Sequence, residues 1–376
     1  QDELGGHCAE KDHLLIGLNP IDDSPVLVST AVLAEHGHIT GDSGSGKSSR
    51  GIAPLVEQLI ARGDCSVVVL NLKNDRAIFE AARVALTRAN AGRRRVERPP
   101  IPFRWFTNQP EHSTYVFNPF LQQDMRALTP QQRAEVLLSS LGLNYGEGFG
   151  QAFYSSVHRH VLKRVLESNP HFQSFRQIDR FFRDGRFALD ARELGIDRKS
   201  REEASHLYTV VESLASFDAL NVRDDTRVAP EILAQAIDMG DVVRSPHVIY
   251  FGLAAALEQS TVREIAKLAL HTMLVAAVHR GHSRHQTYLF IDEFQQIVSH
   301  DLEIVLRQAR SHGIAVILAN QTRSDLRIGD IDITPTVEAN TRFRQVFSAS
   351  DVKHQNALIE ASGEAMYELN SQSTSY

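Results

Sequence analysis

The sequence has little of several features that mark large classes of protein. Two cysteines in 376 residues are too few for a disulfide scaffold, and they suggest a reducing compartment. No apolar run reaches the ~20 residues that a membrane-spanning helix needs. The formal net charge of −6 shows no general excess of positive charge, so a nucleic-acid contact would need a local basic surface. Hydrophobic residues at 42% and charged residues at 23% are typical of a globular protein.

A glycine-rich segment near the amino end carries the strongest chemical signal. The letters GDSGSGKS at residues 41–48 fit the pattern GxxxxGK[ST] at every fixed position. Glycines let the backbone turn its N–H groups toward phosphates, and the following helix adds its N-terminal partial charge. We therefore predict ATP binding by Gly41, Asp42, Ser43, Gly44, Ser45, Gly46, Lys47, Ser48 and Ser49, with Lys47 on the β- and γ-phosphates and Ser48 on Mg²⁺.

A second signal complements the first. The apolar run at 288–291 reads as a strand, and it is followed directly by Asp292 and Glu293. Such a strand would deliver both carboxylates to the carboxyl edge of a parallel sheet, beside the glycine-rich loop. We predict that Asp292 helps to hold Mg²⁺ and that Glu293 orients or deprotonates the attacking water.

The order of predicted elements indicates an α/β fold. Continuous apolar runs such as residues 67–72 are typical of strands buried on both faces, and helical patterns separate them. From residue 129 to about residue 220 only helical patterns are present. We therefore predict a RecA-like P-loop domain with a mostly parallel sheet, interrupted by an inserted all-α domain. The predicted bounds are 1–120 and 246–376 for the RecA-like domain and 121–245 for the insertion.

Two further residues have both a functional and an ordinary interpretation. Arg310 lies near the end of a predicted helix, where it could reach a neighbouring subunit's γ-phosphate or simply be solvated at a helix C-terminus. Gln321 ends a predicted strand, where its amide could sense the γ-phosphate or bond to a loop. Spacing alone leaves both pairs of alternatives open.

A basic cluster lies in residues 90–100, which read as an exposed loop. Arg93, Arg94, Arg95 and Arg98 would form either a DNA contact or an ordinary solvated surface.

Taken together, these segments resemble the coupling-protein ATPases of type IV secretion and conjugation, within the FtsK/HerA superfamily of DNA pumps. The resemblance covers most of the chain, although Asn71 stands where many members carry aspartate. The segments that carry it are residues 36–41, 68–75, 117–119, 248–253, 292–294 and 308–322.

The resemblance implies properties that the residues alone do not. Arg310 would be a finger acting on a neighbour's nucleotide, and Gln321 would be a sensor. The subunits would form a homo-oligomer, a hexameric ring around DNA, and the insertion would face secretion-system or relaxosome proteins. We expect a cytoplasmic protein, located at the cytoplasmic face of the inner membrane in its full-length form. Any membrane association would come from an N-terminal anchor outside this sequence or from partners.

The sequence is also compatible with two other functions. The chain could act mainly as a receptor that binds protein substrates through its helical insertion. Alternatively, it could be a soluble HerA-like ATPase of DNA processing or defence, with no role in secretion.

Overall fold

A sheet of parallel strands is the organising element of the fold. The computed structural model describes residues 12–74, 76–109, 115–144, 151–184, 187–222, 234–256, 258–281, 285–329, 331–348 and 352–362. In chain order, the strands are β1 (His13–Leu18), β2 (Pro25–Ser29), β3 (Gly37–Thr40), β4 (Ser66–Asn71), β5 (Phe103–Thr107), β6 (Val248–Gly252), β7 (Thr287–Asp292), β8 (Ile314–Asn320), β9 (Arg327–Ile328), β10 (Ile331–Asp332) and β11 (Phe343–Val346).

Seven of these strands form the main sheet, in the order β11-β3-β8-β7-β4-β6-β5, and every neighbouring pair is parallel. The carboxyl ends of the central strands are aligned, since Thr40 pairs with Asn320 and Asn71 pairs with Asp292. Strands β1 and β2 form a separate antiparallel hairpin, as do β9 and β10. The parallel sheet of the predicted fold class is therefore confirmed.

Helices cover both faces of the main sheet. In chain order they are α1 (Thr30–Leu33), α2 (Ala53–Arg62), α3 (Arg76–Arg95), α4 (Gln123–Arg126), α5 (Pro130–Ser140), α6 (Gln151–Ser168), α7 (Phe175–Arg183), α8 (Phe187–Glu193), α9 (Arg198–Glu203), α10 (Ser205–Ala215), α11 (Asp218–Asn221), α12 (Met239–Arg244), α13 (Gln259–Arg280), α14 (His300–Ala309), α15 (Thr334–Asn340) and α16 (Val352–Ser362).

Alternate residues of the central strands point to opposite faces, and each face has its own hydrophobic core. Val67 and Val69 of β4 pack with α2 and α3, whereas Val68 and Leu70 pack with α13, α14 and the helices of the segment between β5 and β6. Burial on both sides explains why these strands read as unbroken apolar runs.

The long segment between β5 and β6 contains helices α4–α12, in agreement with the predicted all-α insertion. Thr129 caps α5, because its side chain accepts a hydrogen bond from the N–H of Gln132 and the side chain of Gln132 accepts one from the N–H of Thr129. Pro130 occupies the first turn of that helix. The segment's core is continuous with one face of the main sheet. The domain bounds at 120/121 and 245/246 stay predictions, and residues 1–11 and 363–376 lie outside the described part of the chain.

The expectation of an exposed loop at residues 90–100 is wrong for its first half. Helix α3 continues to Arg95, so Arg93, Arg94 and Arg95 form its last turn. The side chain of Asn90 exchanges two hydrogen bonds with the backbone of Ile101, at 2.7 and 3.0 Å, which fixes the helix against the next segment. A contact outside the helix thus stabilises it beyond the point where the glycine and charge pattern predicts its end.

None of the described helices combines the length and the hydropathy that a membrane crossing requires.

Candidate active site

The glycine-rich loop lies at the carboxyl edge of the sheet, directly after β3. Gly44 and Gly46 have φ angles of 78° and 99°, in the left-handed region that glycine tolerates best. The N–H of Gly41 donates a hydrogen bond of 3.2 Å to the carbonyl of Gln321, which ties the loop to the end of β8. A π-helical turn, Lys47–Ile52, then leads into α2. The strand–loop–helix context that the motif requires is present.

Lys47 is buried inside its own loop. Its ammonium donates hydrogen bonds to the carbonyl oxygens of Gly41 at 2.5 Å and of Asp42 at 3.1 Å. An ammonium has three donors and no acceptor, so in this position it would also be attracted to a phosphate oxygen in the cradle. The loop also contains the buried hydroxyl oxygen of Ser45, which has no hydrogen-bond partner among the described residues.

Ser48 and Asp292 meet although they are 244 positions apart in sequence. The Ser48 hydroxyl donates a hydrogen bond of 2.8 Å to Oδ2 of Asp292. Burial raises the pKa of the Asp292 carboxyl, and the hydrogen bond from Ser48 opposes that shift. A hydroxyl and a carboxylate oxygen are hard ligands of the kind that Mg²⁺ prefers, and a divalent cation would favour the charged carboxylate. The donor set therefore fits Mg²⁺.

Glu293 has an unusual backbone conformation. Its φ and ψ of 56° and 45° place a residue with a full side chain in the left-handed region, which costs of order 1–3 kcal/mol and often marks a functional site. The side chain is buried, and the amides of Gln295 and Gln321 donate hydrogen bonds of 2.5 and 3.4 Å to its Oε2. The carboxylate is therefore held in a defined orientation next to Asp292.

Gln321 directly follows β8, and its side chain reaches the acidic pair rather than a loop. Its backbone N–H donates a hydrogen bond of 3.1 Å to Oδ2 of Asp325, and the N–H of Thr322 donates to the same oxygen at 2.7 Å. Asp325 thus fixes the turn after β8, so that the amide of Gln321 points toward Glu293.

Arg310 lies at the opposite edge of the sheet from this site. It belongs to the 3₁₀ turn Arg310–His312, which precedes the seven-residue strand β8, so about 20 Å separates it from the glycine-rich loop of its own chain. Its guanidinium forms an ion pair of 3.0 Å with Glu35. This placement excludes Arg310 from its own chain's site, and its role at a neighbouring subunit's nucleotide stays a prediction.

The remaining predicted binding residues lie on the loop and the turn after it. Asp42 exchanges two hydrogen bonds with Ser348, which follows β11. Its N–H donates to the Ser348 hydroxyl oxygen at 3.0 Å, and that hydroxyl donates to Asp42 Oδ2 at 3.0 Å. Ser43, Gly44 and Ser49 are exposed, so they are accessible to a ligand.

Ser348, Asp325 and Gln295 were not predicted from the sequence. Each is an isolated polar residue whose role depends on which strand ends meet. The pairing of β11 with β3, for example, brings Ser348 to a residue 306 positions away. No local pattern signals such contacts.

The sheet, the glycine-rich loop and the acidic strand end together define the RecA-like class of P-loop folds. Residues 252–376 match the family model described as "Type IV secretion-system coupling protein DNA-binding domain". That range contains Asp292, Glu293, Arg310 and Gln321. The resemblance to type IV coupling proteins of the P-loop type is therefore confirmed. The residues that match the family model are the carboxyl-terminal third of the chain.

Solved structures share the fold. The chain aligns with the bacterial conjugative coupling protein TrwBdeltaN70 in its unbound monoclinic form at 15% identity, with a TM-score of 0.65, over 96% of this chain and 78% of that one. The plasmid coupling protein TrwB, in complex with a non-hydrolysable ATP analogue, aligns at 14% identity, with a TM-score of 0.62, over 95% and 79%. VirB4 of Thermoanaerobacter pseudethanolicus aligns at 13% identity, with a TM-score of 0.52, over 92% and 86%. No curated protein matches the sequence significantly.

Proposed function

We propose that the chain is an ATP-hydrolysing motor of the coupling-protein kind, which recruits DNA or nucleoprotein substrates and moves them to a secretion channel. The observation that carries the proposal is the meeting of the two motifs at one edge of the sheet. There, Ser48 bonds to Asp292 at 2.8 Å, with Glu293 and Gln321 alongside. TrwB has been solved with ADP and Mg²⁺ and with a non-hydrolysable ATP analogue, which supports the same ligands here.

In the proposed reaction, water attacks the γ-phosphate of ATP and yields ADP and phosphate. Lys47 would bind the β- and γ-phosphates by its ammonium, and the loop N–H groups would orient them. Ser48 and Asp292 would hold Mg²⁺, which when bound offsets the negative charge of the phosphates. Glu293 would accept a proton from the attacking water, and Gln321 would hold Glu293 and that water in line.

Arg310 would act between subunits. Because Arg310 lies about 20 Å from its own loop, at the far end of β8, it would stabilise transition-state charge at the neighbour's nucleotide. That requirement favours a closed ring, and we propose a homohexamer around a DNA channel. The DNA contact would be to the backbone and independent of sequence. The family described for residues 252–376 supports DNA as the substrate.

The helical segment α4–α12 would face partner proteins of the secretion system or the relaxosome. We place the full-length protein in the cytoplasm, at the cytoplasmic face of the inner membrane.

The decisive experiment is steady-state ATP hydrolysis at low salt, with single-stranded DNA, double-stranded DNA or no DNA, and with Lys47→Ala as the inactive control. We expect stimulation by DNA that rises cooperatively with protein concentration. A different result would favour a receptor: the protein binds ATP, DNA does not change its turnover, and a partner protein binds tightly to the helical segment. Absence of ATP binding would refute the proposal altogether.

A further inference from the structure

Three neighbouring strands of the main sheet, β11, β3 and β8, each have a charged residue shortly before them in the chain. Glu35 precedes the middle strand β3, Arg310 precedes β8, and Arg342 precedes β11. The carboxylate of Glu35 contacts both arginines, through Oε1 to Arg310 Nη2 at 3.0 Å and through Oε2 to Arg342 Nε at 3.3 Å. One carboxylate therefore holds two guanidinium groups side by side.

The backbone fixes the position of this group. The N–H of Arg342 donates to the carbonyls of Glu35 and His36, at 3.4 and 3.2 Å. The buried His36 ring joins the carbonyl of Leu306 in α14 to the N–H of Val316 in β8, each at 3.0 Å. The end of α14 and the starts of all three strands are thus connected by hydrogen bonds.

The guanidinium groups are nevertheless accessible. The side chains of Arg310 and Arg342 are 58% and 72% exposed, whereas that of Glu35 is 32% exposed. Two cations on one anion leave a net positive charge at this surface. A group of this kind can present several N–H donors to an anion with three oxygens, such as a terminal phosphate.

We infer that Arg342 is a second catalytic arginine, which contacts the neighbouring subunit's γ-phosphate together with Arg310, and that Glu35 is the positioning residue for both. The inference rests on the proposed function, because a surface that presents Arg310 to the adjacent nucleotide also presents Arg342. Glu35 keeps the two like charges together in the free subunit, and the phosphate replaces it as their partner in the assembled ring.

The chain offers a matched control. Arg307 lies on α14, one turn before Arg310, and its side chain is 64% exposed. Its ion pair of 3.2 Å is with Glu303 of the same helix, four residues before it. Loss of Arg307 therefore tests for a general effect of removing an exposed arginine near this surface.

The experiment compares Arg342→Ala, Arg342→Lys, Arg310→Ala and Arg307→Ala in the assembled full chain. For Arg342→Ala we expect turnover at saturating ATP to fall at least tenfold, with KM and ADP binding unchanged. Capture of ADP with aluminium fluoride, which mimics the transition state, should be weakened by the same factor. The lysine variant should recover part of the activity, and Arg307→Ala should match the unmodified protein.

Two further measurements test the geometry. Mixing Arg342→Ala with Lys47→Ala subunits should give more activity than the sum of the separate proteins. An interface is intact wherever the loop comes from the Arg342→Ala subunit and the arginines come from the Lys47→Ala subunit. Glu35→Gln should lower turnover severalfold without changing KM, since it leaves both arginines present but unpaired. A purely structural role for Glu35 would lower thermal stability and leave the aluminium fluoride capture per folded molecule intact.

The failures are distinguishable. Full turnover in Arg342→Ala, together with loss of turnover in Arg310→Ala, would overturn this inference and leave the proposed function standing. Full turnover in both variants would refute the action of either arginine on a neighbouring subunit's nucleotide. If the unmodified protein does not hydrolyse ATP, the proposed function and this inference are both refuted.

Discussion

Replacing Glu293 with glutamine tests the chemistry of the site with little change in its shape. The amides of Gln295 and Gln321 both donate to Glu293 Oε2, at 2.5 and 3.4 Å, and a glutamine carbonyl oxygen can accept the same two bonds. The substitution removes the negative charge and the ability to accept a proton from water. Nucleotide binding through Lys47, Ser48 and Asp292 does not depend on either property.

The expected loss follows from what such a base contributes. General base catalysis typically supplies 10²–10⁴ in rate, which is about 3–5 kcal/mol of barrier at ~1.4 kcal/mol per factor of ten. We therefore expect the turnover of Glu293→Gln to fall by about 10²–10⁴ while ATP affinity stays within a factor of about three. Steady-state phosphate release and equilibrium binding of a fluorescent ATP analogue measure the two quantities separately.

A backbone control separates activity from stability. Glutamine keeps the strained φ of 56°, so thermal stability should be unchanged, whereas Glu293→Gly should relieve ~1 kcal/mol of strain and be equally inactive. Glu303→Gln, on α14 away from the site, should turn over normally. Normal turnover in Glu293→Gln would refute the assignment of Glu293 as the base, whatever its effect on stability.

Three other predictions follow from contacts described above. His36→Ala should lower the free energy of unfolding by about 2–5 kcal/mol, since it leaves two buried backbone groups unpaired, and chemical denaturation can measure the change. Burial lowers the pKa of His36, so this side chain binds fewer protons in the folded state than in the unfolded state below about pH 6.5. The stability difference between the unmodified protein and His36→Ala should therefore shrink as pH falls below about 6.5, and a difference that does not change with pH would contradict the assignment of a neutral His36. Ser348→Ala should weaken ATP binding by about threefold to tenfold, because it removes both hydrogen bonds between Ser348 and Asp42 of the loop, and it should leave turnover at saturation nearly unchanged.

The sequence was informative where the chemistry is local. The glycine-rich loop and the acidic pair Asp292–Glu293 each occupy a few consecutive residues, and the apolar runs of β4, β7 and β8 mark strands buried on both faces. Those features together were enough to predict the fold class and the carboxyl edge as the place where the two motifs meet.

What the sequence could not show depends on strand order. Arg342 contacts Glu35 across 307 positions only because β11 pairs with β3. The end of α3 was misplaced for a similar reason, since the hydrogen bonds between Asn90 and Ile101 stabilise a last helical turn that helix propensity alone would not predict. The shared core of the helical segment and the sheet likewise has no signature in the local pattern.

In the proposed ring, strand β8 would connect two nucleotide sites. Its carboxyl end leads to Gln321, beside the subunit's own Glu293, and its amino end follows Arg310, which in the proposed ring would face the adjacent nucleotide. All seven of its residues are buried, and a close-packed interior is poorly compressible, so a displacement at one end is transmitted to the other. Departure of phosphate from one site would therefore be transmitted through β8 to the next site, and the nucleotide sites of the ring would not act independently.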